Sequence, residues 1–253
     1  MKLAIDKKRN LWITLNASKQ ILTISPKTGA YTLYQAPPLN ATLYSIAVDK
    51  KRGVWFTMPE ANKLFRMKIS KKKVEILNTT VDSYPYELYI DSKGRAWITK
   101  PLNSSVALYE YKKVGKAFQL VESANYTFNG TPAAITLDKK CRSLWVVFND
   151  TDQVALKDLK TRTTVYNDTF SWSSTPIGIA VDKKGYVWYA EKTSHRLVKL
   201  IKQLKKMELW LHEAIYLPLE PIQLFMDAKG GIWLLSPQGG VAYLSEKLPF
   251  KIT

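Results

Sequence analysis

Two histidines are the only imidazoles in this chain, and one of them has a carboxylate close by in sequence. His195 follows Glu191 in the run Glu-Lys-Thr-Ser-His. The general base of an enzyme that works near neutral pH is most often a histidine. His195 and Glu191 form the only local pair of this type, so they are the candidate catalytic residues. His212 lies in a long connection, where we expect a surface or packing role.

The rest of the composition excludes several other kinds of chemistry. A single cysteine, Cys141, excludes a disulfide framework and a cysteine-based metal knuckle. Two histidines leave little for a histidine-ligated metal or a histidine-dependent triad, and the chain has no glycine-rich phosphate loop. We therefore predict no metal site and no cofactor.

The asparagines indicate a covalent modification. Eight of the ten begin an Asn-x-Ser/Thr sequon, far more than random placement would give. This motif is the acceptor for N-linked glycans in exported proteins. The pattern predicts a secreted or cell-surface glycoprotein that carries N-linked glycans on exposed loops. The eight residues are Asn16, Asn40, Asn78, Asn103, Asn125, Asn129, Asn149 and Asn167.

The start of the chain conflicts with this prediction of export. Met1 leads directly into an apolar strand, without a signal peptide. No apolar run reaches the roughly 18 residues needed to cross a bilayer, so we predict no transmembrane segment in this chain. We give the sequons more weight, and expect that a leader belongs to the protein but is missing from this sequence.

The elements that position these residues follow from a sixfold repeat. An apolar strand, an Asp, a basic turn and a Trp recur every 42 to 47 residues. A repeat of this length with four strand-like runs is typical of β-propellers. We predict an all-β, six-bladed β-propeller with four antiparallel strands per blade, as a single domain over residues 1–253. The blades are expected at about 1–40, 41–82, 83–127, 128–170, 171–216 and 217–253.

The repeated Asp and Trp have structural roles in this scheme. An Asp that starts a turn can accept hydrogen bonds from the N–H groups of that turn. A Trp can fill the wide gap between adjacent blades. We expect neither residue type to be catalytic at the repeated positions, which are Asp6, Asp49, Asp91, Asp138, Asp182 and Asp227, and Trp12, Trp55, Trp97, Trp145, Trp188 and Trp233.

Two segments carry a family resemblance. VDKKRGVWFTMPEANKLFRMK (48–68) and VDKKGYVWYAEKTSHRLVKL (181–200) resemble the repeats of virginiamycin B (streptogramin) lyase and of related NHL-type propellers. The resemblance implies a six-bladed propeller. It also implies a lyase that uses His and Glu with a divalent cation, such as Mg²⁺, for proton abstraction and elimination. The starts of the inner strands, where a histidine would serve that reaction, hold other residue types.

Ligands of propellers usually bind over the central channel, near the links between blades and the second turn of each blade. The residues expected at this channel rim are polar or aromatic, and several are acidic. They are Tyr84, Tyr86, Glu87, Glu60, Asp150 and Glu220. Glu87 is the only carboxylate near the start of an inner strand, so a ring of carboxylates around a metal is poorly supported.

The charge distribution predicts a basic face. The chain has a net charge of +17, and most of its 38 Lys and Arg residues lie in the first and third turns of the repeats. In a four-stranded blade these two turns share one side, opposite most of the sequons. The first-turn lysines that represent this face are Lys50, Lys51, Lys139, Lys140, Lys183 and Lys184. A basic face can dock on an anionic surface, although Lys in turns also serves solubility.

Three functions remain open. The first is a non-catalytic binding module, secreted or on the cell surface, whose partner is a protein or an anionic cell-surface component. The second is a metal-dependent lyase or hydrolase that resembles streptogramin lyase. The third is an NHL-type RNA-binding domain. We expect no nucleic-acid partner, because the basic face lacks the interleaved aromatic residues on which bases stack.

Overall fold

The structure, a computed structural model, describes residues 2–70, 73–201, 211–227, 230–238 and 240–244. The chain divides into two compact units, unit 1 (Met1–Asn129) and unit 2 (Gly130–Thr253). Each unit contains three antiparallel sheets, in which every strand pairs with the next one along the chain. The predicted all-β, six-bladed β-propeller is confirmed. The prediction of one domain with the blade boundaries given above stays a prediction.

Unit 1 contains three blades of four strands. These are β1 (Leu3–Ile5), β2 (Leu11–Leu15), β3 (Gln20–Ile24) and β4 (Tyr31–Gln35) in blade 1; β5 (Ile46–Val48), β6 (Gly53–Met58), β7 (Lys63–Ile69) and β8 (Val74–Thr80) in blade 2; and β9 (Leu88–Ile90), β10 (Ala96–Lys100), β11 (Ser105–Val114) and β12 (Ala117–Thr127) in blade 3. Two single-turn 3-10 helices, Pro59–Ala61 and Pro101–Asn103, follow the second strands of blades 2 and 3.

Unit 2 contains two blades of four strands and a sixth blade of which the described residues form three. These are β13 (Pro132–Leu137), β14 (Ser143–Phe148), β15 (Gln153–Asp158) and β16 (Thr164–Asp168) in blade 4; β17 (Pro176–Val181), β18 (Val187–Glu191), β19 (Arg196–Ile201) and β20 (Leu211–Tyr216) in blade 5; and β21 (Gln223–Met226), β22 (Ile232–Leu235) and β23 (Val241–Leu244) in blade 6. The fourth strand expected near the end of blade 6 lies outside the described residues.

The side chain of the repeated Asp fixes the first turn of each blade through hydrogen bonds. In blade 2, Asp49 Oδ1 accepts hydrogen bonds from the N–H groups of Lys51 and Gly53, both at 2.8 Å. Its Oδ2 accepts a bond from Trp55 Nε1 at 2.9 Å. The Asp therefore joins the turn to the second strand, which confirms its structural role and adds the indole as a partner. We call this unit the Asp–Trp turn.

The Asp–Trp turn recurs with small changes. The Asp-to-Trp bond is present in blades 1, 2, 3, 5 and 6 at 2.9 to 3.2 Å. Blade 4 has one extra residue between Asp138 and Trp145, and there Asp138 accepts bonds from Arg142 N and Ser143 N. The third residue after each Asp has a positive φ, as at Arg52 (63°) and Gly185 (91°).

The repeated Trp side chains pack between successive blades within each unit. Trp12 packs among apolar residues that include Leu43 and Ile46 of blade 2, and Trp55 packs with Leu88 and Ile98 of blade 3. In unit 2, Trp145 and Trp188 likewise contact the apolar cores of blades 5 and 6. The prediction that these side chains fill the gaps between blades is confirmed for these four.

Candidate functional site

A polar cluster joins the starts of β1, β5 and β9, the first strands of the three blades of unit 1. Lys2, Ser45 and Glu87 each lie four residues before the repeated Asp of their blade. Lys2 Nζ forms an ion pair with Glu87 Oε2 at 2.9 Å, and Ser45 Oγ donates to Glu87 Oε1 at 3.3 Å. Ser45 Oγ also accepts a bond from Leu88 N at 3.1 Å. The three positions therefore act as one unit, held by a carboxylate that is largely buried.

Three tyrosines lie beside this cluster. The Tyr44 and Tyr86 rings stack with centroids 3.9 Å apart, and Tyr84 lies 6.2 Å from Tyr86. Lys2 Nζ lies 5.3 Å from the centroid of Tyr44. Burial, followed by the negative charge of Glu87, raises the pKa of Tyr44 far above its ordinary value.

Glu60 connects the tyrosines to the link that precedes blade 2. Its Oε2 accepts a bond from Thr42 N at 2.9 Å, and its Oε1 lies 3.5 Å from the Tyr84 hydroxyl. Partial burial opposes ionisation, but the hydrogen bonds that the carboxylate accepts, from Thr42 above all, together outweigh it and lower the pKa of Glu60. The structure thus brings together four of the predicted rim residues, namely Tyr84, Tyr86, Glu87 and Glu60.

Three members of this cluster are not among the predicted rim residues. Lys2 and Ser45 take the position of Glu87, four residues before the repeated Asp of their blade. Tyr44 takes the position of Tyr86, five residues before the repeated Asp. Counting back from every Asp is the sequence signal that finds them. We define the unit 1 cluster as Lys2, Tyr44, Ser45, Glu60, Tyr84, Tyr86 and Glu87.

Unit 2 carries no such cluster at the same positions. The residues four places before its three repeated Asp residues are Ala134, Gly178 and Gln223. A Cβ atom on Gly178 would lie 2.9 Å from Leu224 Cβ, so the first strands of blades 5 and 6 approach closely there. Close packing takes the place of polar contact at Gly178.

The two predicted rim residues of unit 2 are engaged in local contacts. Asp150 accepts the N–H of Thr131 with both oxygens, at 2.8 and 2.9 Å. Partial burial works against ionisation, yet the bonds from Thr131 lower the pKa of Asp150. Glu220 forms an ion pair with Lys192 at 3.2 Å. Both carboxylates therefore hold links and turns together.

The candidate catalytic pair is placed on β18 and in the turn after it. Glu191 is fully buried, and its oxygens accept bonds from Ser194 Oγ at 2.5 Å and from Ser171 N at 3.2 Å. His195 has a left-handed backbone with φ of 51°, and its carbonyl accepts the N–H of Leu217 at 2.7 Å. The described contacts of the Glu191 carboxylate go to these serines and not to the His195 imidazole.

His212 lies on β20 and not in a connection as expected. Its Nδ1 is 3.4 Å from the Tyr189 hydroxyl, and its ring packs edge-on against Tyr189 and beside Phe170. Burial lowers the pKa of His212 below its ordinary value. The expected packing role is confirmed.

The described residues do not offer a ligand set for a divalent cation. No group of three or more His, Cys, Asp or Glu side chains converges among them. Glu191, the carboxylate that the resemblance implicates, already accepts two hydrogen bonds in a buried setting. Hard cations such as Mg²⁺ need several oxygen ligands with room for water. The residues around Glu191 therefore do not fit Mg²⁺.

A basic cleft lies between the first turns of blades 2 and 3. It has a volume of about 610 Å³, and six of its eleven lining residues are Lys or Arg whereas two are Asp or Glu. Lys50 Nζ crosses it to the carbonyl of Ser92 at 2.7 Å. The residues that line it are Asp49, Lys50, Lys51, Arg66, Ser92, Lys93, Gly94, Arg95, Glu110, Tyr111 and Lys112.

The floor of the basic cleft is a buried ion pair. Arg66 donates to Asp49 Oδ2 through Nε at 3.0 Å and Nη2 at 2.7 Å. The guanidinium lies 4.0 Å from the centroid of the Tyr111 ring. Arg66 and Asp49 cancel each other, so the free positive charge of the cleft comes from its rim. Within the described residues, Lys51 and Lys93 at this rim form no ion pair.

The first turns of unit 2 resemble those of unit 1. Lys139 Nζ donates to the carbonyl of Lys183 in the next blade, as Lys50 does to Ser92. The six lysines predicted for the basic face are all exposed, namely Lys50, Lys51, Lys139, Lys140, Lys183 and Lys184.

Most of the sequon asparagines are accessible. Exposed positions are Asn40, Asn78, Asn103, Asn125, Asn129 and Asn149, while Asn16 and Asn167 are half-buried. Asn125 lies on β12 and not on an exposed loop as expected. Asn78 and Asn167 lie on β8 and β16, the fourth strands of their blades. Attachment of glycans at these residues stays a prediction.

The six sheets and the Asp–Trp turns define the class of this protein as a six-bladed β-propeller. A model of the virginiamycin B lyase family matches residues 1–240, and the chain belongs to that family.

Solved structures show the same fold at low identity. A catalytically inactive histidine-to-alanine variant of virginiamycin B lyase from Staphylococcus aureus, with quinupristin, has a TM-score of 0.72 at 19% identity, covering 98% of this chain and 84% of that one. A Lactobacillus plantarum protein has a TM-score of 0.74 at 14% identity, covering 96% and 83%. Hydrazine synthase of Kuenenia stuttgartiensis has a TM-score of 0.65 at 11% identity, covering 98% and 96%.

Among curated proteins, no sequence matches this chain significantly. In the described part of the chain, no helix has the length and apolar character that crossing a membrane requires.

Proposed function

We propose that this protein is a non-catalytic binding module that docks on an anionic component of the cell surface through its basic turns. The observation that carries the proposal is the basic cleft of unit 1. Three of its six cations are paired with Asp49, Asp91 and Glu110, whereas Lys51 and Lys93 are exposed at its rim and form no ion pair among the described residues. A concave site of one charge concentrates counter-charged ligands and speeds their approach.

Export of the protein is part of the same proposal. The support is the density of sequons and the exposure of six of the eight asparagines. Intact-mass measurement on protein from its native source, before and after enzymatic removal of N-glycans, tests it. We expect a mass loss together with Asn-to-Asp conversion at several sequons. An unmodified chain would contradict the glycoprotein proposal and leave the basic cleft to be tested separately.

Binding to a heparin column and to anionic vesicles tests the docking proposal. Contacts between exposed charges are screened by salt over a Debye length of about 8 Å at physiological ionic strength. We expect affinity to fall steeply with salt. The double variant Lys51→Glu/Lys93→Glu should weaken binding by about tenfold or more.

The matched control is Lys140→Glu/Lys184→Glu, which makes the same change of charge in the first turns of unit 2. We expect this variant to weaken binding less than the unit 1 pair does. Binding that ignores both salt and the unit 1 substitutions would remove the basic cleft from the proposal. Salt-dependent affinity for single-stranded RNA that exceeds the affinity for heparin would favour the RNA-binding alternative.

The second candidate function is a metal-dependent lyase of the streptogramin type. Family membership favours it, as does the similar Staphylococcus aureus structure, which is described as catalytically inactive after a histidine-to-alanine substitution. Against it, the described contacts of Glu191 leave its carboxylate occupied by Ser194 and Ser171. The residues around Glu191 also do not fit the divalent cation that such a lyase would use.

Mass spectrometry of quinupristin incubated with the purified protein and Mg²⁺ separates the two candidates. We expect no ring opening. Ring opening by the wild-type protein that disappears in His195→Ala would establish the lyase. Anion binding should be the same in both proteins, because His195 lies in unit 2 and not in the basic cleft.

A further inference from the structure

The link between β16 and β17 carries an aromatic side chain that is almost fully exposed to solvent. It covers residues 169–175, here called the Trp172 loop, and Trp172 at its tip is 96% exposed. Such exposure leaves a large apolar area in water. Tryptophan is also over-represented among residues that dominate binding energies. A bare indole on a fixed loop is therefore a candidate contact residue.

Asp152, in the second turn of blade 4, holds both ends of the Trp172 loop. Its Oδ1 accepts bonds from Ser174 N at 3.0 Å, Ser174 Oγ at 3.2 Å and Thr175 N at 3.0 Å. Its backbone carbonyl accepts the N–H of Thr169 at 2.8 Å. One residue thereby closes the loop.

Blade 5 fixes the first half of the loop. Glu191 Oε1 accepts the N–H of Ser171, and Arg196 donates a bond to Ser171 Oγ. The Tyr189 hydroxyl accepts the N–H of Phe170 at 2.8 Å. Glu191 is fully buried, and a buried charge needs hydrogen-bond partners to be tolerated. The Trp172 loop supplies one of them, so Glu191 has a positioning role here.

The backbone of the loop is strained on the C-terminal side of Trp172. Ser173 and Thr175 have positive φ values of 50° and 49°. This left-handed region favours glycine and is poorly tolerated by β-branched residues such as threonine. A strained backbone of this kind persists only where surrounding contacts hold it in place. Such residues are found most often at ligand-binding sites and active sites.

The Trp172 loop and the turn bonded to it carry several hydroxyls. Ser171 and Ser173 flank Trp172, and Thr193 bonds the loop through its hydroxyl to Thr175 Oγ1 at 2.9 Å. Lys192, the cation of that turn, is paired with Glu220. The other aromatic residue of the loop, Phe170, has the Arg196 guanidinium over its ring at 5.2 Å.

We propose that the Trp172 loop binds a neutral carbohydrate, with one sugar ring stacked on the indole and its hydroxyls bonded to the neighbouring serines and threonines. The C–H face of a sugar ring suits an aromatic surface, and its hydroxyls need donors and acceptors such as Ser and Thr. A lipid surface would favour several apolar side chains together with free cations. This site goes beyond the proposed function, because it lies in unit 2 and uses no net charge.

Isothermal titration with neutral hexasaccharides tests the proposal. The probes are β-1,4-linked glucose, N-acetylglucosamine and mannose oligomers and an α-1,4-linked glucose oligomer. We expect at least one probe to bind, with an affinity that changes little between low and high salt. Trp172→Ala should weaken that binding about tenfold or more, and Trp172→Tyr should retain most of it.

Two controls keep the result specific. Leu102→Ala removes another bare apolar side chain, 76% exposed on unit 1, and should leave carbohydrate binding unchanged. Lys51→Glu/Lys93→Glu should also leave it unchanged, which separates this site from the basic cleft. Absence of binding to all four probes would overturn the proposal, as would equal binding by Trp172→Ala. Trp172-dependent binding to neutral phosphatidylcholine vesicles without carbohydrate binding would overturn it in favour of a lipid surface.

Discussion

The two units of the molecule share one turn design but differ where their first strands begin. In both units an Asp–Trp turn, or its longer form in blade 4, closes the first hairpin of every blade. Four residues before each Asp, unit 1 has the linked side chains of Lys2, Ser45 and Glu87. Unit 2 has Ala134, Gly178 and Gln223 at those positions. The repeated Asp and Trp thus determine the fold of each blade. The residues four places before each Asp vary and give each unit its own polar or apolar character.

The largest expected effect concerns the turn design itself. Asp49→Asn removes the charge that the buried Arg66 guanidinium faces, and leaving a buried cation unpaired typically costs about 3–5 kcal/mol. Among the described residues, Asp182 of unit 2 contacts no arginine, so Asp182→Asn should cost about 1–3 kcal/mol through weakened hydrogen bonds. Urea unfolding followed by circular dichroism measures both. Equal losses would show that the ion pair adds nothing to the turn.

The next effect tests whether the unit 1 cluster matters for stability. Ser45→Ala gives unit 1 the residue that blade 4 of unit 2 has at this position. It leaves Leu88 N without its acceptor and Glu87 without one donor, so the free energy of unfolding should fall by about 1–3 kcal/mol. The same urea titration reports it, and an unchanged midpoint would mean that water replaces the hydroxyl without loss.

A smaller effect concerns the residue of positive φ in the first turns. Gly185→Ala in unit 2 places a Cβ where no atom lies within 4 Å, so its cost is conformational and about 1–2 kcal/mol. Unit 1 already has Arg52 at the matching position, with φ of 63°. Arg52→Gly should therefore leave stability nearly unchanged or raise it slightly. A loss from Arg52→Gly equal to that from Gly185→Ala would contradict this account.

The smallest effect is a pH dependence of stability that arises from His212 of unit 2. Burial lowers the pKa of His212, so the unfolded chain binds a proton at a higher pH than the folded chain. The stability from this group is therefore complete above about pH 6.5 and is lost as the pH falls. His212→Gln should flatten the dependence of the thermal midpoint on pH between pH 6.5 and 5. A wild-type pH dependence that His212→Gln leaves unchanged would contradict this account.

Much of the fold could be predicted because its determinants are local. The repeated Asp and Trp lie six or seven residues apart, and the six copies of this motif give the number of blades. Part of the unit 1 cluster could be predicted for the same reason, since Tyr86 and Glu87 have a set place before Asp91.

The role of Glu191 could not be predicted in this way. Its partner Ser171 lies 20 residues earlier, in a loop whose conformation depends on positive φ at Ser173 and Thr175. No periodic signal marks these residues. The sequence suggested an acid–base pair with His195, whereas the described contacts of the carboxylate lead to the Trp172 loop.

The Asp–Trp turn also has a consequence for how this chain folds. All bonds of the turn join residues at most six apart in blades 1, 5 and 6, and every strand pairs with its neighbour along the chain. Such contacts close short loops and carry a small entropic cost, so they form early and fast. We expect each hairpin to form soon after it leaves the ribosome, before the next blade is synthesised. Assembly would then proceed blade by blade from the N-terminus.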